Sequence, residues 1–123
     1  MINKLYHPTQ RRKRAVMADK LEAVRNLIIE EQHWIKGKYA RDEKGKVVDP
    51  SSPAACQWCL LGAIYKAIDK YEDKESAEGY IRTVAAYKYN DLATFNDQSS
   101  HKEVIAALDC TIEALGGKNG RTT

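Results

Sequence analysis

Apolar residues recur at three- and four-residue steps through much of this 123-residue chain, and no other feature limits its fold so strongly. The period is clearest near the C-terminus, where Val104, Ile105, Leu108, Ile112 and Leu115 make one stripe. Ser100 and Glu103 precede it at capping-box spacing, so each side chain can satisfy an amide that the first turn leaves open. Gly116-Gly117 provides the stop. A helix between those two signals follows.

The same period, at Met17, Leu21, Val24, Leu27 and Ile28, predicts a helix from Met17 to about Gln32–Trp34. Asp19 and Glu22 sit near its start, where the helix dipole favours acids. Ser52-Pro53 reads as a cap followed by proline at the first helical position, which predicts a second helix reaching about Tyr71. Its broad stripe runs from Cys56 and Cys59 through Leu60, Ile64 and Ile68, marking the most buried helix. Gly62 interrupts it at a cost of about 1 kcal/mol against alanine, which suits a close approach by another helix or by a side chain such as Trp. A third helix is predicted over Lys74–Tyr87, although Gly79 weakens it. Asn90-Asp91 and Asn96-Asp97 suggest turns flanking a short piece of helix.

Residues 36–54 have no lasting period and are punctuated by Gly37, Gly45, Pro50 and Pro53. Asp42–Gly45 reads as a turn, and Lys46-Val47-Val48 as a short extended segment. A loop of this length inside a small domain is often functional, so it is the first place to expect a binding surface. The expectation is therefore all-α: a compact bundle of four to five helices, with one long ordered loop between the first and second main helices.

The chain is the length of one domain, with 43% hydrophobic and 30% charged residues, which excludes a collagenous, wholly disordered or multi-domain protein. Three cysteines are too few and too odd in number for a disulfide scaffold. No apolar run approaches the roughly 18 residues of a membrane span. The first residues are basic without an apolar stretch behind them, unlike a secretory signal, so a cytoplasmic setting is expected and no membrane partner. Oligomeric state is not written in the pattern.

The formal charge of +3 is unevenly spread. Residues 1–16 form a basic N-terminal arm of +5, from Lys4, Arg11, Arg12, Lys13 and Arg14 with no acid. Lys118 and Arg121 add +2 in a flexible tail over 118–123, which leaves the helical domain, 17–117, at −4. Arg11, Arg12, Lys13 and Arg14 could contact nucleic acid or an acidic partner; a merely solvated terminus is the plainer reading.

Cys56-Gln57-Trp58-Cys59 has the spacing of redox and zinc motifs. It lacks the strand that redox sites follow, and only Cys110 with His33 or His101 could complete a zinc set. Cysteines three apart on one helical face are more simply core, so no metal and no cofactor are expected. Cys59, His33 and Asp97 supply the residue types of a nucleophile, base and orienter, but triads are recognised by geometry rather than composition. The C-terminal Gly-rich stretch has no strand before it and no helix after it, unlike a phosphate loop. No catalytic residue is assigned.

Three blocks carry a resemblance when taken in order: Trp34, Gly37, Ala40, Asp42 and Gly45; then Trp58, Cys59, Gly62 and Ala63; then Phe95, Asn96 and Asp97 ahead of Glu103-Val104. Over about residues 18–115 the chain resembles an uncharacterised family of small helical bacterial and phage proteins, defined only as a domain of unknown function. The family's cysteine matches Cys59, and the resemblance implies no activity, cofactor or catalytic residue.

Each block falls at an expected helix end, so Trp34, Asp42, Trp58, Cys59, Asn96 and Asp97 are the candidate pocket for a ligand or partner. Asn96 and Asp97 could equally be caps that tie down the loop over the two Trp rings. The expected function is a small non-enzymatic interaction protein of phage or mobile-element origin that binds a protein or nucleic-acid partner through the arm or the loop. The alternative is a small enzyme or ligand binder working from the Trp58/Cys59/Asn96/Asp97 end.

Overall fold

Helix α1 (Pro8–Ile28) buries Met17, Ala18, Leu21, Val24 and Ile28 along one stripe, so its inner face follows the sequence period. The computed structural model describes residues 8–117. Within them α1 begins at Pro8 rather than at the expected Met17. The apolar stripe marks only the packed part of a helix. Gln, Arg, Lys and Ala continue it into solvent at little cost, and Pro suits the first helical position. Arg11, Arg12, Lys13 and Arg14 therefore stand on exposed helical turns. The rest of the expected arm, residues 1–7, and the expected tail, 118–123, lie outside the described residues.

At its other end α1 stops at Ile28, short of Gln32–Trp34. Glu30 is extended, and Glu31–His33 form one 3-10 turn. His101 Nε2 donates to the Ile28 carbonyl at 2.7 Å, satisfying an acceptor that the helix end leaves open.

The expected second helix starts later than predicted. Helix α2 spans Leu60–Ala67, and Ser52-Pro53 is a turn in which Ser52 Oγ accepts from the Ala54 amide at 3.1 Å. Cys56, Gln57 and Trp58 are extended because their backbone pairs across the chain instead of along it. Strand β2 (Gln57–Trp58) runs antiparallel to β1 (Ala40–Arg41), with Ala40 opposite Trp58 and Arg41 opposite Gln57. Isolated bridges join Trp34 to Trp58 and Arg41 to Val47. The long connection is thus a miniature sheet of four short segments. Its turn at residues 42–45 is pinned by Asp42 Oδ1, which accepts the Lys44 and Lys46 amides at 2.9 Å each.

Helix α3 (Tyr71–Ala85) begins and ends slightly before the expected Lys74–Tyr87. Lys74 Nζ reaches back to the carbonyls of Tyr65 (3.3 Å), Asp69 (3.2 Å) and Ile68, closing the C-terminal end of α2. Asp91 caps the short α4 (Leu92–Gln98) by accepting the Thr94 amide at 2.8 Å. Helix α5 (His101–Ala114) carries the full capping box at Ser100 and Glu103. The architecture is an all-α bundle: α1 packs on α2 and α5, α3 on α5, and α4 on the start of α2. Five residues at the start of α2, Leu60 to Ile64, are buried, which makes it the axis of the core. Among the described residues no helix is long and apolar enough to cross a membrane.

Candidate functional site

Asn96 is wholly buried and polar, so it must find partners or cost stability. It finds four. Its Oδ1 accepts from the Trp34 indole Nε1 at 2.6 Å and from the Leu60 amide at 3.0 Å. Its Nδ2 donates to the Ile35 carbonyl and to Asp97 Oδ1, each at 3.1 Å. These partners fix the orientation of the amide, because an indole and a backbone N–H can only donate and a carbonyl can only accept. Asn96 does not precede a helix and cap it, as its sequence position suggested. It lies inside α4 and caps a different helix, α2, while gripping the chain that leaves α1.

Asp97 extends the grip. Its Oδ1 also accepts the Gly37 amide at 2.9 Å, and Gly37 has a φ of +84° that an L side chain rarely adopts. The Trp34 ring lies 5.5 Å from the His101 ring, with Lys36 Nζ on it at 5.7 Å. Trp58 is buried, and its indole donates to the Pro50 carbonyl at 3.1 Å, fastening the far side of the connection.

Cys59 is the N-cap of α2, its sulfur accepting from the Gly62 amide at 3.3 Å. Burial pushes its thiol pKa up; the Gly62 and Leu61 amides oppose that rise, and the Asp97 charge adds to it. A nucleophilic cysteine needs the opposite shift. No hydrogen bond joins His33 to Cys59 or Asp97 among the described residues, so the notional triad is not assembled. Nor do three His, Cys, Asp or Glu side chains among them converge as metal ligands would. Cys56 is half-buried and Cys110 exposed, both as free thiols.

Gly62 explains how the connection lies so close. A Cβ built there would stand 1.9 Å from the Tyr39 carbonyl oxygen, the atom that accepts the Cys59 amide at 3.2 Å. The close approach inferred from this glycine is made by the loop backbone at Tyr39, not by another helix or a Trp side chain.

The result is a cleft of about 670 Å³ between the connection and the helix ends. Tyr39, Val47, Val48, Pro50, Cys59 and Ala93 supply its apolar lining, with Asp49, Asp97, Gly37 and Lys38 completing it. Cys59 and Asp97 are the two candidate residues that line it. Trp34, Trp58 and Asn96 support it from behind, and Asp42 is at the hairpin turn, engaged with its own loop. Tyr39 and Val47 had no helical period to mark them. The one signal was a pair of β-branched residues, Val47-Val48, in an otherwise polar loop.

Arg12 and Lys13 lie elsewhere, in a second groove of about 770 Å³ between the first turns of α1 and the start of α3. Asp69, Glu72 and Asp73 share that groove, and Lys20 pairs with Asp73 at 3.9 Å. Its charge is mixed rather than uniformly positive.

Fold and site together define a small helical protein in which one buried amide on α4 ties the central connection to the start of α2. The chain belongs to a family of unknown function, DUF6197, whose profile matches residues 12–114. No curated protein matches it, and no solved structure does.

Proposed function

We propose that this protein is a non-enzymatic binding module that grips a partner polypeptide with the cleft beneath residues 37–50. One observation carries the reading: Tyr39 and Val47 stay 47% and 52% exposed at a cleft whose backbone is tied down on both sides. Apolar side chains displayed on a backbone already held in place leave only their rotamers to be ordered when a partner covers them. The chemistry beside them is that of recognition. The thiol is a buried cap with a raised pKa, and every polar atom of the Asn96 amide is used internally. The carboxylates at the cleft repel phosphate, and Arg12 and Lys13 share their groove with the acids Glu72 and Asp73 of α3, which favours a polypeptide over a nucleic acid.

The test is selection of a random dodecapeptide display library on the full-length protein, with counter-selection on Val47→Ser, which removes the apolar side chain without adding charge. Because Val47 is exposed, that variant keeps the fold. Enriched peptides are expected to bind the wild type and to lose at least about tenfold on Val47→Ser, the scale of one interfacial apolar anchor. Failure to enrich any peptide that distinguishes the two would refute the reading. So would salt-sensitive binding to duplex DNA or RNA that Val47→Ser leaves intact.

A further inference from the structure

The lining of the cleft also says which residue the partner should present. Asp97 Oδ1 is occupied by the Gly37 amide and the Asn96 side chain, whereas its Oδ2 has no partner among the described residues. Asp49 is in the same state: Oδ1 accepts the Ser51 amide at 2.8 Å, and Oδ2 is uncommitted. A carboxylate accepts up to about four hydrogen bonds, so both retain capacity toward the cleft they line. The opposing charge there is Lys38, which makes no ion pair among the described residues. Two carboxylates against one ammonium leave the lining net negative. The remainder is apolar, and the exposed Tyr39 ring offers a face on which a guanidinium can stack.

We propose that the cleft selects a basic side chain, arginine above lysine, flanked by apolar residues in an extended segment of the partner polypeptide. The aliphatic stem of such a side chain covers Val48 and Pro50 while its head meets Asp97 and Asp49. An acidic or phosphorylated segment is excluded by the same charges. The inference rests on the polypeptide-binding reading above, and adds the charge of the residue recognised. It also assigns Lys38 a role as the competing cation at the rim, so removing its charge should tighten binding.

The probe is acetyl-Gly-Val-Arg-Val-Gly-amide, titrated into the ¹⁵N-labelled full-length protein, beside peptides with glutamine or glutamate in the central position. The arginine peptide is expected to shift the amides of Gly37, Tyr39, Val48 and Ala93. The glutamine peptide should bind about fivefold more weakly, the scale of one accessible ion pair, and the glutamate peptide should shift none of them. Asp97→Asn keeps a carbonyl for Gly37 but removes the charge, and Asp49→Asn does the same for Ser51. Either should erase the preference for arginine over glutamine, while Lys38→Gln should strengthen it. Equal binding of the arginine and glutamine peptides at these four amides overturns the charge selection and leaves the cleft as a binding site. Absence of shifts at these amides with every peptide overturns both.

Discussion

Replacing Asn96 with alanine removes an acceptor from Trp34 and Leu60 and a donor from Ile35. The Leu60 amide and the Ile35 carbonyl lie in buried hydrogen bonds, and neither has another route to water through the packed start of α2. Each buried group left unpaired costs about 1–3 kcal/mol, so these two together give about 2–6 kcal/mol. The Trp34 ring is half-buried and can turn its N–H toward solvent, so it adds less. The expected loss is about 3–4 kcal/mol, a large part of the roughly 5–15 kcal/mol that holds a domain together. At about 4 °C per kcal/mol for a domain of this size, Tm should fall by roughly 12–16 °C. Urea unfolding followed by tryptophan fluorescence, with unchanged m-value, reads it directly. Asn96→Asp is the sharper companion, since it keeps the acceptor but loses the donor and sets a second negative charge beside Asp97. Its folded-state pKa must therefore be raised, and its deficit against the wild type should shrink as pH falls and protonation restores a donor. A loss below about 1 kcal/mol for Asn96→Ala, or a pH-independent deficit for Asn96→Asp, would refute the reasoning.

Three further outcomes follow from individual contacts. Gly62→Ala, which would gain about 1 kcal/mol in an ordinary helix interior, should instead destabilise by about 1–3 kcal/mol, because its Cβ meets the Tyr39 carbonyl; equilibrium unfolding gives the sign. Thiol labelling with a chromogenic disulfide should modify Cys110 first, Cys56 next and Cys59 only on unfolding. Because the Cys59 pKa is raised in the folded state, its contribution is intact below the unfolded thiol pKa and is lost as pH rises through the folded value. The wild type should accordingly lose stability above about pH 9 more steeply than Cys59→Ser. Asp91 has its pKa lowered by the Thr94 amide, so Asp91→Ala should lower Tm at neutral pH, and the difference should vanish as pH falls through the folded carboxylate pKa, which differential scanning calorimetry can follow.

What could be read from the sequence was what is local. Helix α5 announces itself because its cap, stripe and stop all lie within the residues it orders, and the structure realises each. The start of α2 was misplaced for the converse reason. Cysteines three apart and a Ser-Pro pair fit a helix as long as only neighbours are considered. The amides of Cys56 and Cys59, however, go to Arg41 and Tyr39, and the Trp58 indole to Pro50. Strand pairing across such a loop leaves no period in so short a segment. The start of α1 leaves no mark in the apolar pattern, because solvated helical turns need no apolar residue. At the site, the sequence marks Asn96 and Asp97 as pocket residues or as caps that tie down the loop, without naming what they hold. Their partners Trp34, Ile35, Gly37 and Leu60 are 36 to 62 residues away, beyond any local rule. Asp42 was grouped with them through its block, although an Asp two residues before a lysine amide in a turn has a sufficient local use.

One structural claim is central: the buried Asn96 amide fastens the connection to the start of α2, so the cleft exists before any partner arrives. Native-state amide hydrogen exchange tests it most directly, at two positions. The Leu60 amide, bonded to Asn96, should exchange only through global unfolding. The Gly37 amide, held by Asp97 on an otherwise exposed residue, should be slowed at least about a hundredfold relative to an unstructured chain. Asn96→Ala should release both together. Exchange of the Leu60 and Gly37 amides at unstructured rates in the wild-type protein would contradict the claim.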